Sequence, residues 1–325
     1  ISLDSNFFVA HYNLGIVFLL QQDLLNGWKK YEFRSYKNKY PEIKKNKIEW
    51  NGSDLKNTAL LIICEQGIGD NIQFVRYISL IKKNNTKIIL FVKKNFKSFF
   101  KNLKSVDIIV DKINDLPSFD QFIFLMSLPN IFKNINLFPK PINFLNKQNN
   151  LDIKWKEIFK KYDHYKLKIG LAWQGDQINN RNDSKRSIAL KTFEPILRLN
   201  KIKFFSLQKN FGKEQIEIYE FGNLIENFYD NIDKEPFEDT LSIIENLDLV
   251  ISVDTALAHL SATTGKKTWI MIPKVPDFRW GLSSSTSLWY NNVALYRQKE
   301  INDWKSVVED IVKDLNFLIN NKTII

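Results

Sequence analysis

The stretch DLVISVDTALAHLSATTGKKTWIMIP (248–273) decides the fold. DLVISVD (248–254) is a continuous apolar run that reads as a strand buried on both faces, and TALAHLSATTG (255–265) has the length and small-residue content of a helix ended by a glycine. KKTWIMIP (266–273) is the next buried strand. Strand, helix and strand in about twenty-five residues make a βαβ unit, whose parallel strands must be covered by helices on both faces.

The same alternation extends in both directions. Upstream, LKIGLAW (167–173) and IKFFSLQ (202–208) read as strands, and FEPILRL (193–199) and FEDTLSIIENL (237–247) as helices. Downstream, residues 303–320 form the last helix. A second set lies nearer the N-terminus. Its strands are 59–66, 87–94, 106–110 and 121–129, and its helices 69–83 and 95–103. The pattern predicts two doubly wound α/β halves facing a cleft. Residues 130–165, with Pro139 and Pro141, read as the crossing between them.

Residues 7–34 differ, with Leu14, Gly15 and Phe18, then Gly27, Tyr31 and Arg34, at helical spacing on either side of Gln21-Gln22-Asp23. This is a helical hairpin whose glycines let two helices approach closely, like one tetratricopeptide repeat. One repeat cannot bury its own face, so it either caps the next domain or continues repeats upstream of Ile1. We expect a hairpin at 1–36, a lysine-rich linker at 37–57, one Rossmann-like domain at 58–150 and another at 151–325, with the last helix a candidate to cross back.

The 325 residues include 47 Lys+Arg and 36 Asp+Glu, a net charge of +11, with 44% hydrophobic and 14% aromatic side chains. That composition excludes a disordered or fibrous chain. The longest apolar runs are far too short to span a bilayer as a helix, and no signal-peptide pattern follows Ile1. A single cysteine, Cys64, excludes an internal disulfide and a cysteine-rich metal site. A cytoplasmic protein is expected. The charge excess reads as solvated lysine faces, with no nucleic-acid partner and at most a peripheral hold on an anionic membrane.

Four stretches can carry chemistry. EQGIGD (65–70) lies at a strand-to-helix turn where backbone amides can approach an anion, and Asp70 falls in the first helical turn, where it also suits a residue complementing its own helix. A dinucleotide fingerprint would want glycine at position 72, which is Ile72. At 254–259, Asp254, Thr255, Ala256 and Leu257 sit at a helix start whose free amides suit a diphosphate, with His259 farther on. The loop 179–187 ends in Lys185-Arg186-Ser187, which suits phosphate oxygens. PDFRWG (276–281) places Asp277, Arg279 and Trp280 together, a cluster for stacking or for the core. No D-x-D, P-loop or H-E-x-x-H motif is present.

Taken in order, GW..YE.R (27–34), EQGIGDNIQFVRY (65–77), SLP (127–129), IGLAWQG (169–175), RSIAL (186–190), SLQK (206–209), DLVISVDTALAHLSATTGKKTW (248–269), DFRW (277–280), WY (289–290) and RQ (297–298) resemble bacterial tetratricopeptide-repeat proteins with a glycosyltransferase domain. That domain is similar to the heptosyltransferases of glycosyltransferase family nine. The resemblance implies a GT-B architecture, in which an N-terminal domain holds the acceptor and a C-terminal domain the nucleotide sugar. It implies Asp70 as general base, and Asp254, Thr255, Ala256, Leu257 and His259, with Lys185 or Arg186, at the donor diphosphate. Glu65, Gln66, Gly67, Gly69, Gln73, Gln208, Asp277, Arg279 and Trp280 are further cleft candidates. The activity implied is inverting glycosyl transfer without a metal or cofactor, from a nucleotide-diphosphate sugar to a glycan or protein hydroxyl. A non-catalytic repeat scaffold and a nucleotide-sugar epimerase are the alternatives.

Overall fold

The computed structural model describes residues 7–81, 85–94, 96–134, 138–141, 149–175, 183–228 and 237–321. The chain divides into two compact units, Ile1–Asn146 with Asp277–Leu282, and Lys147–Pro276 with Ser283–Ile325.

The first unit opens with the expected hairpin, α1 (Phe8–Leu20) and α2 (Leu24–Tyr31). A Cβ added at Gly15 would lie 2.9 Å from the Tyr31 nitrogen, so only glycine permits this approach. Asp23 caps α2 by accepting from the Asn26 amide at 3.2 Å. The hairpin packs on its own unit through aromatic edges. Trp28, buried, meets Tyr31, Phe74 and Phe278 at centroid distances of 5.4, 5.6 and 5.8 Å.

Five parallel strands follow: β1 (Ile48–Glu49), β2 (Ala59–Ile63), β3 (Lys87–Phe91), β4 (Ile108–Val110) and β5 (Gln121–Phe124), in the order β1-β5-β2-β3-β4. Leu61, Ile63, Ile89, Phe91, Phe122 and Phe124 form one side of its core. The expected linker thus contributes an edge strand, β1, followed by Trp50, whose amide donates to the Phe122 carbonyl at 2.8 Å. The helix expected at 69–83 is shorter. α3 (Ile68–Phe74) gives way to a 3-10 segment, Val75–Leu80. There the Arg76 side chain takes the Gln73 carbonyl at 2.6 Å and the Ser79 hydroxyl takes the Arg76 carbonyl at 2.7 Å, acceptors an α-helix would use. The strand expected at 121–129 stops at Phe124, because Pro129 fits the first turn of α4 (Leu128–Phe132) but not a sheet ladder.

The second unit has six parallel strands: β6 (Leu167–Ala172), β7 (Ile202–Ser206), β8 (Ile225–Glu226), β9 (Leu249–Val253), β10 (Thr268–Ile272) and β11 (Val293–Arg297), ordered β11-β10-β9-β6-β7-β8. Its longer helices are α5 (Asn149–Lys160), in the stretch read as a crossing, α6 (Glu238–Glu245), α7 (Ala256–Thr263) and α8 (Trp304–Asn320). Val307, Val308, Ile311, Leu315 and Ile319 recur every three or four residues along α8 and enter this unit's core. β8 and β11 were not anticipated. β8 is two residues long, and β11 (VALYR) ends in the partly exposed Tyr296 and Arg297 at the sheet margin.

Candidate functional site

In an open α/β sheet, ligands bind beyond the carboxyl ends of the strands where the strand order reverses. In the first sheet the chain runs from β2 out to β3 and β4, then returns to β5 on the other side of β2. The turn Glu65–Asp70 leaves β2 at that point. Gln66 sits in the left-handed region at φ 59, a costly conformation for a residue with a side chain. It is held there on two sides. Its amide nitrogen donates to the Tyr31 hydroxyl at 2.5 Å, and the Lys93 ammonium donates to its carbonyl. The Gly67 amide then donates to Asp70 Oδ2 at 2.7 Å, and a Cβ at Gly67 would come within 3.0 Å of that oxygen. Asp70 therefore complements its own helix start, as the sequence allowed.

Beneath this turn lies a buried ionic network. Arg34 reaches both Glu65 oxygens, Nε to Oε2 at 2.9 Å and Nη2 to Oε1 at 2.6 Å, and donates to the Ser127 hydroxyl at 2.8 Å. The Met126 amide also donates to Glu65, at 3.2 Å. Burial pushes the Glu65 carboxyl up from its ordinary value, with Arg34 opposing. Burial pulls Arg34 the other way from its carboxylate partners, which together raise it, so the guanidinium stays charged. Glu65 is thus part of the scaffold of the turn.

Asp70 also meets Arg279, more than two hundred residues away in the chain and part of the same unit. The guanidinium donates to Asp70 Oδ1 by Nη2, to Gln73 Oε1 at 2.6 Å by Nε and to Asp277 Oδ1 at 2.6 Å by Nη1. Gln73 is fully buried, as Trp280 nearly is, which gives Trp280 a core environment in place of a stacking face. Gly69 lies within the first turn of α3.

In the second sheet the order reverses between β6 and β9. Past β6, the helical turn Asp183–Arg186 carries Lys185 and Arg186, and the turn after β9 carries Asp254 and Thr255. Arg186 Nη1 lies 3.4 Å from Asp254 Oδ2, whereas Lys185 is exposed. The N–H groups of Ala256 and Leu257 open α7 and have no acceptor within the helix, and Thr255 makes no side-chain cap. His259 faces Asp254 at 4.0 Å, too far for a hydrogen bond, and pairs through Nδ1 with the Tyr290 hydroxyl at 3.0 Å. Gln208 serves as a staple. Its Oε1 accepts from the Trp173 and Gln174 amides, both at 2.9 Å, and its Nε2 donates to the Phe211 carbonyl at 2.6 Å. Beside it, burial pulls the Lys209 amine down to about 8.

Arg34, Tyr31, Lys93, Ser127 and Tyr290 are the contributors that sequence reasoning did not assign. For Arg34, Tyr31, Ser127 and Tyr290 a signal existed in the quoted GW..YE.R, SLP and WY stretches. For Lys93 there was none. Among the described residues, no group of three or more His, Cys, Asp or Glu side chains could hold a metal ion, and no helix is long and apolar enough to cross a membrane.

No protein-family model matches the chain. Among curated proteins it is 23% identical over 308 residues to Protein FlbA of Caulobacter vibrioides, covering 86% of this chain and 50% of that protein. The chain thus spans about half the length of the curated relative it matches. Among solved structures, a glycosyltransferase family nine protein of Veillonella parvula superposes with a TM-score of 0.57 at 11% identity, covering 83% of this chain and 99% of that one. ADP-heptose lipopolysaccharide heptosyltransferase II of E. coli gives 0.54 at 10% identity, covering 81% and 99%. The E. coli heptosyltransferase WaaC with ADP gives 0.51 at 10%, covering 79% and 99%. The two parallel sheets of this chain, each with its candidate residues at the reversal of strand order, therefore have the fold of the glycosyltransferase family nine structures.

Proposed function

We propose that the protein is a glycosyltransferase that moves a sugar from a nucleotide-diphosphate donor to a hydroxyl acceptor, with inversion and without a divalent ion. One observation carries this reading: Arg186 and Asp254 meet at the strand-order reversal of the second sheet, beside the open amides of Ala256 and Leu257. That arrangement offers a fixed cation and free N–H donors to a diphosphate, whose growing charge on departure they stabilise. Asp254 orients Arg186, and Tyr290 orients His259.

In the first unit Asp70 takes the proton of the acceptor hydroxyl, a role worth about two to four orders of magnitude in rate. A shared fold does not by itself carry an activity, so the roles rest on these residues. The acceptor is a glycan or a protein, and the hairpin is a candidate recruiting element of tetratricopeptide type.

The test is a binding screen of the purified chain against UDP, GDP, ADP, CMP and TDP and their common sugars, with and without EDTA, repeated on Asp254→Ala. Selective, EDTA-insensitive binding that the variant weakens supports the proposal and names the donor. No binding by a folded chain moves the reading to a non-catalytic scaffold. Conversion of a donor with no acceptor present moves it to an epimerase.

A further inference from the structure

The Asp277–Leu282 segment lies between two strands of the second sheet in sequence, yet it belongs to the first unit, and its only arginine is spent on α3. All three guanidinium nitrogens of Arg279 are engaged, on Asp70, Gln73 and Asp277. The side chain is buried to 7% exposure and its Cζ lies over the Phe278 ring, 4.6 Å from the centroid. A guanidinium fixed by two further acceptors and a ring has little freedom left, so it meets Asp70 in one geometry.

From this arrangement we infer that Arg279 is the positioning residue of the candidate base, holding the Asp70 carboxylate ionised and in one rotamer. The inference rests on the reading of Asp70 as base. Physically, Asp70 Oδ2 accepts from the Gly67 amide and Oδ1 from Arg279, so the carboxylate plane is defined from both ends. A cation at contact distance favours the charged carboxylate, the form that can accept a proton. Among the described residues, the other titratable groups in this environment are Lys93, which interacts electrostatically with Asp70, Tyr31, Tyr12 beside Asp277 and Arg279, and Asp277 behind the arginine. Of these only Lys93 is a second cation, and its ammonium is bonded to the Gln66 carbonyl. Arg279 is thus a cation in direct contact with the carboxylate.

The experiment is a 13C titration of the full chain labelled at aspartate side-chain carboxyls, with Asp70→Asn assigning the Asp70 signal. In Arg279→Gln, which keeps donors for its neighbours but no charge, the Asp70 midpoint rises by about one to three pH units. In Arg279→Lys it stays near the wild-type value, and in Lys93→Met it moves less than in Arg279→Gln. An unmoved midpoint in a folded Arg279→Gln chain overturns the inference. Should that variant not fold, the wild-type midpoint decides: below the free-aspartate value of about 3.9 supports it, and at or above that value overturns it. The titration does not depend on turnover. Full transfer activity in Asp70→Asn would remove the base assignment, while the titration would still report whether Arg279 holds the carboxylate.

Discussion

Arg34 closes a two-pronged ion pair on Glu65, at 2.9 and 2.6 Å, and so ties the end of the helical hairpin to the end of β2. Whatever else the hairpin binds, it is a structural member of the turn that carries Asp70.

Removing one partner of such a buried pair leaves an uncompensated charge, so Arg34→Met destabilises the chain by about 3–5 kcal/mol. The double variant Arg34→Met/Glu65→Leu recovers most of that loss. Urea unfolding of the four chains in the cycle reads the coupling, and purely additive losses would refute it.

Gly15→Ala forces a Cβ against the backbone of Lys30 and Tyr31, 2.9–3.0 Å away. Neither atom can swing aside as a side chain would. We expect a loss of about 1–3 kcal/mol by denaturant melt, against tenths for an exposed helix substitution elsewhere in α1.

Arg186→Met removes the cation beside Asp254, and nucleoside-diphosphate binding falls by about 1.5–3 kcal/mol, or roughly 10- to 150-fold in Kd by calorimetry. Lys185→Met, at an exposed position, changes Kd less than threefold. Equal losses in both would show that net charge, not the Arg186–Asp254 geometry, holds the anion.

Lys209 is pulled down to about 8, chiefly by burial, with Asp239 opposing. An unfolded lysine titrates near about 10.4, so between these values the folded chain binds fewer protons than the unfolded one. Stability contributed by this residue therefore rises with pH across that window and is level above it. Comparing urea midpoints near about pH 7 and about pH 10.5, wild type gains on Lys209→Met, and parallel curves would contradict the assignment.

The two parallel sheets were legible because their strands are uninterrupted apolar runs, such as LLII (60–63) and LVISV (249–253), which cannot be solvated faces. The turns that end β2 and β9 were legible for the same reason, since a buried strand running into Gly or Asp-Thr must stop there. What stayed hidden depends on long-range pairing. Nothing local in DFRW tells that Arg279 bonds Asp70, and nothing in KKNF (93–96) tells that Lys93 reaches the Gln66 carbonyl. The edge strands β1 and β8 were missed because two residues are too few to show a period. That Arg186 lies beside Asp254 shows only in the distance between them.

The assignment of Asp277–Leu282 to the first unit bears on how chimeras of the second unit should be built. A chimera joined once, near residue 146, would import a foreign loop opposite the resident Asp70 and separate a pair that has to match. Grafts that exchange the second unit while retaining the native 277–282 hexapeptide keep Asp70 with its own arginine. The natural seam for recombination is therefore discontinuous in the gene, with three junctions where the linear sequence suggests one.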